Sequence, residues 1–303
     1  MQPNKSIGVF VMLKKLSSIS LPIFSILSCL CLTNPSYGAP FFQDNFESGD
    51  KLHTENGVAW MVGNGGRVTV SSDTARSGTS SLKFNYPATP LGTDTTAEQR
   101  FTLGSPRTNV YIRYYIKFPS NYKIRSDSPS NNKFIEIWGE EGNYSTDRGL
   151  MGTEAWDTPS GLAQLGPTAY MQYNPNRLSY APGAFYTHIW WSGILNSWTL
   201  QASDLNKWLC FEWHFKSDSG AGDGALELFV NGIRVYGSTS LKYDAAPVGN
   251  YFKTGYLMGW SNSGFNENTD IYIDDVVMSN SYIGPDNTAS APQAPNFLRI
   301  VSY

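Results

Sequence analysis

The stretch VYIRYYIKF, residues 110–118, alternates between two kinds of side chain in the way a β-strand does. One face would carry Ile112, Tyr114, Ile116 and Phe118. The other face would carry two rings and two cations: Tyr111, Arg113, Tyr115 and Lys117. Rings offer flat apolar area to sugars, and cations bind carboxylates or sulfates, so this second face suits an acidic glycan. The alternative is an outer sheet face on which amphipathic side chains keep their polar ends in water.

The composition is typical of a secreted all-β protein. The chain has 303 residues, of which 41% are hydrophobic, 14% aromatic and only 16% charged. This length can bury a core for one large domain or two small ones. The net charge of −3 argues against nucleic acid as a partner. A negative chain binds an anionic glycan only where its cations cluster in one groove.

The N-terminus has the pattern of a secretory signal peptide over residues 1–38. Lys14 and Lys15 form its basic part, residues 16–32 form its apolar part, and small residues precede Ala39. We therefore expect a secreted protein, extracellular or periplasmic, whose mature chain has no transmembrane segment.

Cleavage near residue 39 would leave Cys210 as the single cysteine, so no intrachain disulfide is expected. The residues before Cys29 loosely match a lipoprotein box, which makes a lipoprotein the less favoured alternative. Residues 39–285 would form one sandwich domain. Residues 286–303 have the composition of a linker and are interpreted as a C-terminal tail.

More than ten short alternating segments, and no convincing amphipathic helix, predict an all-β sandwich of two sheets. In Trp208–Lys216, one face is apolar and the other carries Glu212 and His214, which suggests a solvated sheet surface. The dipeptide Asn231-Gly232 lies between two such segments and is a strong hairpin signal.

Several segments together resemble the concanavalin A-like jelly-roll group. The segments are 44–50, 77–84, 208–216, 228–232, 271–277 and 281–285. The likeness runs in order over roughly residues 41–285 and implies a jelly roll of two antiparallel sheets. The group contains lectins, glycoside hydrolases and polysaccharide lyases, which bind glycans across a concave sheet.

Three fragments resemble motifs of the alginate-lyase branch of that group, in the same order. The sequence AEQR at 97–100 is similar to the end of an Arg-Ser/Thr-Glu-Leu-Arg motif. The sequence QYN at 172–174 is similar to Gln-Ile/Val-His, and YFKTG at 251–255 to Tyr-Phe-Lys-Ala-Gly. The resemblance implies a lyase that cleaves an acidic, uronate-containing glycan by β-elimination, in the manner of alginate, glucuronan or heparin lyases.

The resemblance also implies roles for individual residues. Arg100 and Gln172 would neutralise the substrate carboxylate, with Asn174 at a position where the family often has His, and Lys253 would hold substrate. The remaining candidates for substrate binding are Glu98, Tyr111, Arg113, Tyr115, Lys117, Trp138, Tyr170 and Trp190. All of these interpretations require that Arg100, Arg113, Gln172 and Lys253 converge on one concave sheet face.

The acid/base is where the sequence departs from the family. The family's tyrosine follows the motif lysine by four residues, but Leu257 occupies that position here. Tyr256 is the nearest tyrosine, on the opposite strand face from Lys253 unless a bulge at Gly255 shifts the register. Two other tyrosines are alternatives: Tyr115 and Tyr170. His188 lies between two rings and is interpreted either as a base, as a sugar-stacking residue or as a structural histidine.

Other functions remain open from the sequence alone. A non-catalytic lectin would use the same groove, and a structural surface protein would bind no glycan. A glycoside hydrolase would use Glu136 and Glu140, which resemble a Glu-x-Asp-x-Glu motif with Trp138 in place of the aspartate. No cofactor is required, but Glu47 and Asp275 are candidate ligands of a structural calcium, the alternative being ordinary turn carboxylates. We expect a monomer whose partner is a polysaccharide.

Overall fold

Two antiparallel sheets hold the regular structure of the described residues, which confirms the predicted all-β jelly-roll sandwich. This computed structural model describes residues 39–61, 66–125, 131–139, 150–156, 164–170, 198–219, 221–241 and 251–286. All of them belong to one unit, residues 37–303. Within these ranges no helix is long and apolar enough to cross a membrane.

The described strands are, in chain order, β1 (Phe42–Asp44), β2 (Thr54–Glu55), β3 (Val58–Trp60), β4 (Val68–Ser71), β5 (Ser81–Tyr86), β6 (Thr95–Thr96), β7 (Gln99–Arg107), β8 (Asn109–Lys117), β9 (Asn131–Trp138), β10 (Leu150–Trp156), β11 (Gln164–Tyr170), β12 (Trp198–Thr199), β13 (Trp208–Lys216), β14 (Gly224–Val230), β15 (Ile233–Leu241), β16 (Phe252–Leu257), β17 (Trp260–Asn262) and β18 (Thr269–Ser279). Among the described residues, a 3-10 turn at Ala202–Asp204 precedes β13.

Sheet A has the order β15-β14-β13-β8-β18-β5-β4, with β1 paired to β18. Sheet B has the order β12-β11-β10-β9-β16-β7-β3-β2, with the short β17 paired to β9 and β6. Many neighbouring strands are distant in sequence. In sheet A, β8 is central and pairs with β13 on one side and β18 on the other, although both come much later in the chain.

The apolar face of β8 points into the core, as its alternation predicts. Ile112, Tyr114 and Ile116 are fully buried in one cluster with the apolar face of β13 and with side chains of sheet B. The hydroxyl of Tyr114 accepts a hydrogen bond from the indole Nε1 of Trp213 at 2.8 Å, which satisfies both polar groups inside the core.

The other face of β8 is not the open row of rings and cations that the sequence suggested. It lies on the outside of sheet A, and a short segment of the same chain, residues 281–286 (the strap), covers part of it. Asp286 N donates to the hydroxyl of Tyr115 at 2.9 Å, and Arg113 donates to Gly284 O at 3.3 Å and pairs with the Asp286 carboxylate. Tyr115 and Arg113 are buried as a result. The prediction that this face binds a glycan is therefore wrong for these two residues.

The remaining residues of that face also have partners within the protein. The ring of Tyr111 stacks on His214 with 4.0 Å between ring centroids. Lys117 Nζ donates to Thr74 Oγ1 at 3.0 Å. Tyr111 and Lys117 are only half-buried, and their role in substrate binding stays a prediction.

Glu212 anchors the strap. Its two carboxylate oxygens accept the backbone N–H groups of Ile283 and Gly284 at 2.6 and 2.7 Å. Glu212 and His214 are both buried, so the expected solvated surface on β13 is not found. The sequence could not show this, because the covering residues lie about 70 positions later in the chain.

We predict that stability falls as pH rises through the titration of Glu212. Burial raises the pKa of this carboxyl from its ordinary value near 4.5 to about 7, against the opposing effect of the two N–H donors and Arg113. The unfolded chain therefore loses this proton at lower pH than the folded protein, so ionisation favours unfolding. Between about pH 4.5 and 7 this group alone would lower the free energy of unfolding by up to about 3 kcal/mol.

The measurement is urea unfolding at pH 5 and pH 8. Glu212→Gln removes the titrating carboxyl and should remove most of this pH dependence, although its amide can accept only one of the two N–H groups of the strap. Glu267→Gln changes an exposed carboxylate and is the control that should retain it. An identical pH dependence in the Glu212→Gln and wild-type proteins would contradict the prediction.

Candidate active site

Three adjacent strands of sheet B bring Arg100, Tyr256 and Glu136 onto one line. In the register of the sheet, Tyr256 on β16 is directly opposite Arg100 on β7 and directly opposite Glu136 on β9. Side chains of paired residues share a sheet face, and the neighbouring Phe101 and Leu257 are in the core. The line of three therefore lies on the outer face of sheet B. The same register continues to Gly152 on β10 and Thr168 on β11.

A tryptophan packs beside this line. Trp138 is opposite Thr254 on β16, and its ring meets the ring of Tyr256 edge-on with 5.7 Å between centroids. Trp138 and Tyr256 are buried in a small cluster of their own, separate from the main core. The Arg100 guanidinium lies 5.8 Å from the centroid of the Trp138 ring, within the range of a cation–π contact. The predicted residues Arg100, Trp138 and Tyr256 thus form one group.

Arg100 is fixed by its neighbour Glu98. The Nε of Arg100 donates to the Glu98 carboxylate, and both side chains are mostly buried. A pair shielded from solvent in this way holds its geometry better than the exposed strand-surface pair that the sequence also allowed. Gln99, between them, points the other way and donates to Met61 O at 2.7 Å.

An irregularity in β16 explains how Tyr256 reaches this face. Phe252 packs in the main core, whereas Thr254 is opposite Trp138 on the outer face, so the alternation of β16 breaks at Lys253 and not at Gly255. The register against β7 also shifts there, from Phe252 opposite Arg107 to Thr254 opposite Thr102, with the extra residues on β7. Regular alternation does not run through this segment, and the spacing from Lys253 to Tyr256 does not decide whether the two share a face.

Lys133 and Thr254 join the site although the sequence did not single them out. A Cβ on Gly259 would lie 2.8 Å from the Tyr256 ring and 3.4 Å from the Cβ of Lys133, so Gly259 lies between the two residues. Thr254 is fully buried, and its hydroxyl has no hydrogen-bond partner, as is also true of the Trp138 indole nitrogen within the described part of the chain. Phe134 and Ile135 are consecutive and both buried, which breaks the alternation of β9. These two adjacent apolar residues are the only sign in the sequence that Lys133 faces outward.

The structure does not bring all of the predicted residues together. Tyr111, Arg113, Tyr115 and Lys117 lie on sheet A, so the expected convergence of Arg113 with Arg100 and Lys253 is wrong. Alternation along β8 fixes which residues share a face, but it does not say to which sheet the strand belongs. Tyr170 is the last residue of β11, opposite Leu150. Several predicted residues lie outside the described residues: Gln172, Asn174, His188, Trp190 and Glu140.

The candidate calcium ligands, Glu47 and Asp275, form hydrogen bonds and an ion pair with one turn of the chain, residues 76–80. Glu47 accepts the N–H groups of Thr79 and Ser80 at 2.9 and 2.8 Å. Asp275 pairs with Arg76 at 2.7 Å and accepts the Ser77 hydroxyl at 2.6 Å. In the described ranges no three His, Cys, Asp or Glu side chains form a group that could hold a metal ion. The calcium site stays a prediction.

One known protein shares this fold, and two further structures superpose less closely. The endo-β-1,4-glucuronan lyase of the fungus Trichoderma reesei superposes with a TM-score of 0.51 at 14% identity, over 80% of this chain and 95% of that one. The alginate lyase Aly36B, in a complex with an alginate trisaccharide, gives 0.49 at 15% identity over 71% and 86%. The alginate lyase vAL-1 of a Chlorella virus gives 0.48 at 13% identity over 74% and 93%. No curated protein matches the chain in sequence.

The sequence itself matches one family profile, described as polysaccharide lyase, over residues 45–277. This range covers more than half of the chain and includes both sheets and the Arg100–Tyr256–Glu136 line. The match favours a lyase over the lectin, hydrolase and structural-protein alternatives. The chain belongs to the polysaccharide lyase family, and it is a carbon–oxygen lyase that acts on polysaccharides.

Proposed function

We propose that this lyase cleaves a uronate-containing, anionic polysaccharide by β-elimination on the outer face of sheet B. Because Arg113 lies on the other sheet, the proposal does not rest on the expected convergence of four residues but on the family match together with the line of Arg100, Tyr256 and Glu136 on three neighbouring strands. This line brings a guanidinium and a phenol together on a protein whose family acts on polysaccharides. Glucuronan, the substrate in the name of the Trichoderma reesei enzyme, is the first polymer to test.

The chemistry calls for these two groups. The proton at C5 of a uronate is only weakly acidic, because the attached carboxylate is already negative. A guanidinium bound to that carboxylate offsets its charge and stabilises the enolate-like transition state. A base takes the C5 proton, the electron pair forms the C4–C5 double bond, and the C4–O bond breaks as its oxygen takes up a proton. The product has an unsaturated end that absorbs ultraviolet light.

Arg100 is the residue we assign to the carboxylate, with Glu98 and the Trp138 ring holding the guanidinium in place. Tyr256 is assigned to proton transfer, because its ring lies beside Arg100 in the sheet register. Tyr115 is no longer an alternative, since its hydroxyl binds the strap on sheet A. Lys253 is retained as a substrate-holding residue.

The other residues keep the roles that the sequence suggested. Gln172 and Asn174 would share the carboxylate with Arg100. His188, Trp190 and Tyr170 would contact the sugar chain.

We also propose where the enzyme acts and what it needs for the reaction. A leader over residues 1–38 would export the protein to where extracellular or periplasmic polysaccharide is found. Elimination transfers no electrons to a cofactor, so none is required. An ion at Glu47 and Asp275 would have a structural role. We expect the enzyme to work as a monomer.

Replacing Tyr256 by Phe should remove at least about 99% of the turnover with glucuronan or alginate, because the proton-transfer group is lost while the ring remains. The assay follows the ultraviolet absorbance of unsaturated ends. Tyr272→Phe removes an exposed hydroxyl on sheet A that binds Asp73, and this control should keep wild-type activity. Full activity of Tyr256→Phe would reject the assignment of this tyrosine.

Replacing Arg100 by Lys should lower kcat/KM by about 10²- to 10³-fold, since a lysine cannot present the planar fork that matches a carboxylate. Arg107→Lys changes an arginine of the same strand that packs on Phe41, and it serves as the matched control. The wild-type and Arg100→Lys enzymes should also be tested on the carboxyl-reduced polymer. Cleavage of that neutral polymer by the wild-type protein would contradict the requirement for a uronate.

A further inference from the structure

The chain makes an unusual bend directly after Tyr256, between β16 and β17. Met258 has a φ of 52°, in the left-handed region that bulky side chains rarely adopt. Its side chain is fully buried, and its N–H donates to Phe134 O at 2.7 Å. Such a conformation persists only where its surroundings impose it, and it is found disproportionately at functional sites.

A tyrosine of the opposite sheet holds this bend through the core. Tyr86, on β5 of sheet A, is fully buried, and its hydroxyl oxygen lies 2.9 Å from both Ala97 O and Gly259 O. Its single proton can serve either carbonyl, while the oxygen accepts the Gly259 N–H at 3.2 Å. Burial raises the pKa of Tyr86, which keeps the hydroxyl neutral and able to donate.

The two backbone segments that meet at this hydroxyl are those that carry the proposed catalytic groups. Ala97 directly precedes Glu98 and the strand of Arg100, while Gly259 follows Tyr256 by three residues. The N–H of Ala97 also donates to Gly259 O at 3.3 Å. One buried hydroxyl therefore helps to fix the separation between the Arg100 strand and the Tyr256 strand.

Gly259 touches the phenol directly. A Cβ at this position would lie 2.8 Å from Cε2 of Tyr256 and 3.3 Å from Cζ, the atom that bears the hydroxyl. Contacts this short require the ring to move, because the Cβ itself is fixed by the backbone. The φ of Gly259 is not in the left-handed region, so an alanine here is opposed by the ring and not by backbone strain.

We propose that Tyr86 and Gly259 are positioning residues of the active site, which hold the Tyr256 phenol at the place where it exchanges a proton with the substrate. This inference rests on the proposed role of Tyr256. Gly259 supplies the space that the ring occupies, and Tyr86 fixes the backbone of Gly259 from the far side of the core. Neither residue touches the polysaccharide.

The first test is Gly259→Ala, assayed with whichever of glucuronan and alginate the wild-type enzyme cleaves faster. A displaced phenol should lower kcat by about 10- to 100-fold, because misplacement of a reacting group by about 1 Å has costs of this order. KM should change less than about threefold, since the sugar-binding residues are untouched. A general structural defect would change both constants or lower the unfolding temperature, and this split separates the two explanations.

The second test is Tyr86→Phe, which removes one oxygen and leaves the core packed. We expect kcat to fall about tenfold with KM nearly unchanged. Tyr114→Phe is the matched control, because it also removes a fully buried hydroxyl, in this case the acceptor for Trp213. It should lose comparable thermal stability and keep wild-type kcat. If Gly259→Ala does not fold, this pair of variants still decides the matter.

Tyr256→Phe tests whether Tyr256 is the acid/base, whereas Tyr86→Phe and Gly259→Ala test whether Tyr86 and Gly259 position it. An active Tyr256→Phe enzyme would reject Tyr256 as the acid/base, whatever the other variants do. An inactive Tyr256→Phe together with wild-type kcat in Tyr86→Phe, and in Gly259→Ala where that variant folds, would leave the assignment standing and overturn the positioning role. Equal losses of kcat in Tyr86→Phe and Tyr114→Phe would likewise overturn the positioning role, because the loss of kcat would then follow from lower stability.

Discussion

The candidate active site depends on the register of β16 between β7 and β9. Only this register sets Tyr256 opposite both Arg100 and Glu136. A slip by one residue would turn Tyr256 into the core and bring the apolar Leu257 to the surface, which hydrophobic burial opposes. Gly255 contributes to the same constraint, because a Cβ there would lie 2.4 Å from the Phe101 ring and 2.6 Å from Glu136 O. The pattern of burial that stabilises the sandwich therefore also selects the residues that lie on the outer face of sheet B, where we propose that the substrate binds.

The sequence predicted the strands better than their surroundings. Alternation in β8 and β13 correctly identified the core faces, since burial of one face imposes a period of two. It could not identify what covers the other face. Arg113 and Glu212 are polar residues on the outside of a sheet, and a solvated surface, a sugar groove and a surface buried by the chain's own strap all have the same local sequence pattern. The contacts that distinguish them come from residues 283–286, far away along the chain.

Part of the candidate site could be predicted from the sequence, and part could not. The AEQR fragment identified Arg100 and Glu98, and the two are paired in the structure. The face of Tyr256 was not predictable, because the spacing argument assumes a regular strand and the alternation of β16 breaks at Lys253. The left-handed conformation of Met258 also has no signal in the sequence, since methionine seldom adopts it and only the tertiary packing around it imposes it.

The hydroxyl of Tyr86 has a consequence for how the enzyme responds to heat. It belongs to one layer of the sandwich and binds backbone groups in the other, so any loosening between the layers alters the spacing of the reacting groups. Local motions of this kind cost less free energy than global unfolding. Turnover should therefore decline on warming while the strands are still intact, and the thermal limit of the enzyme would be set by the fit between its two layers.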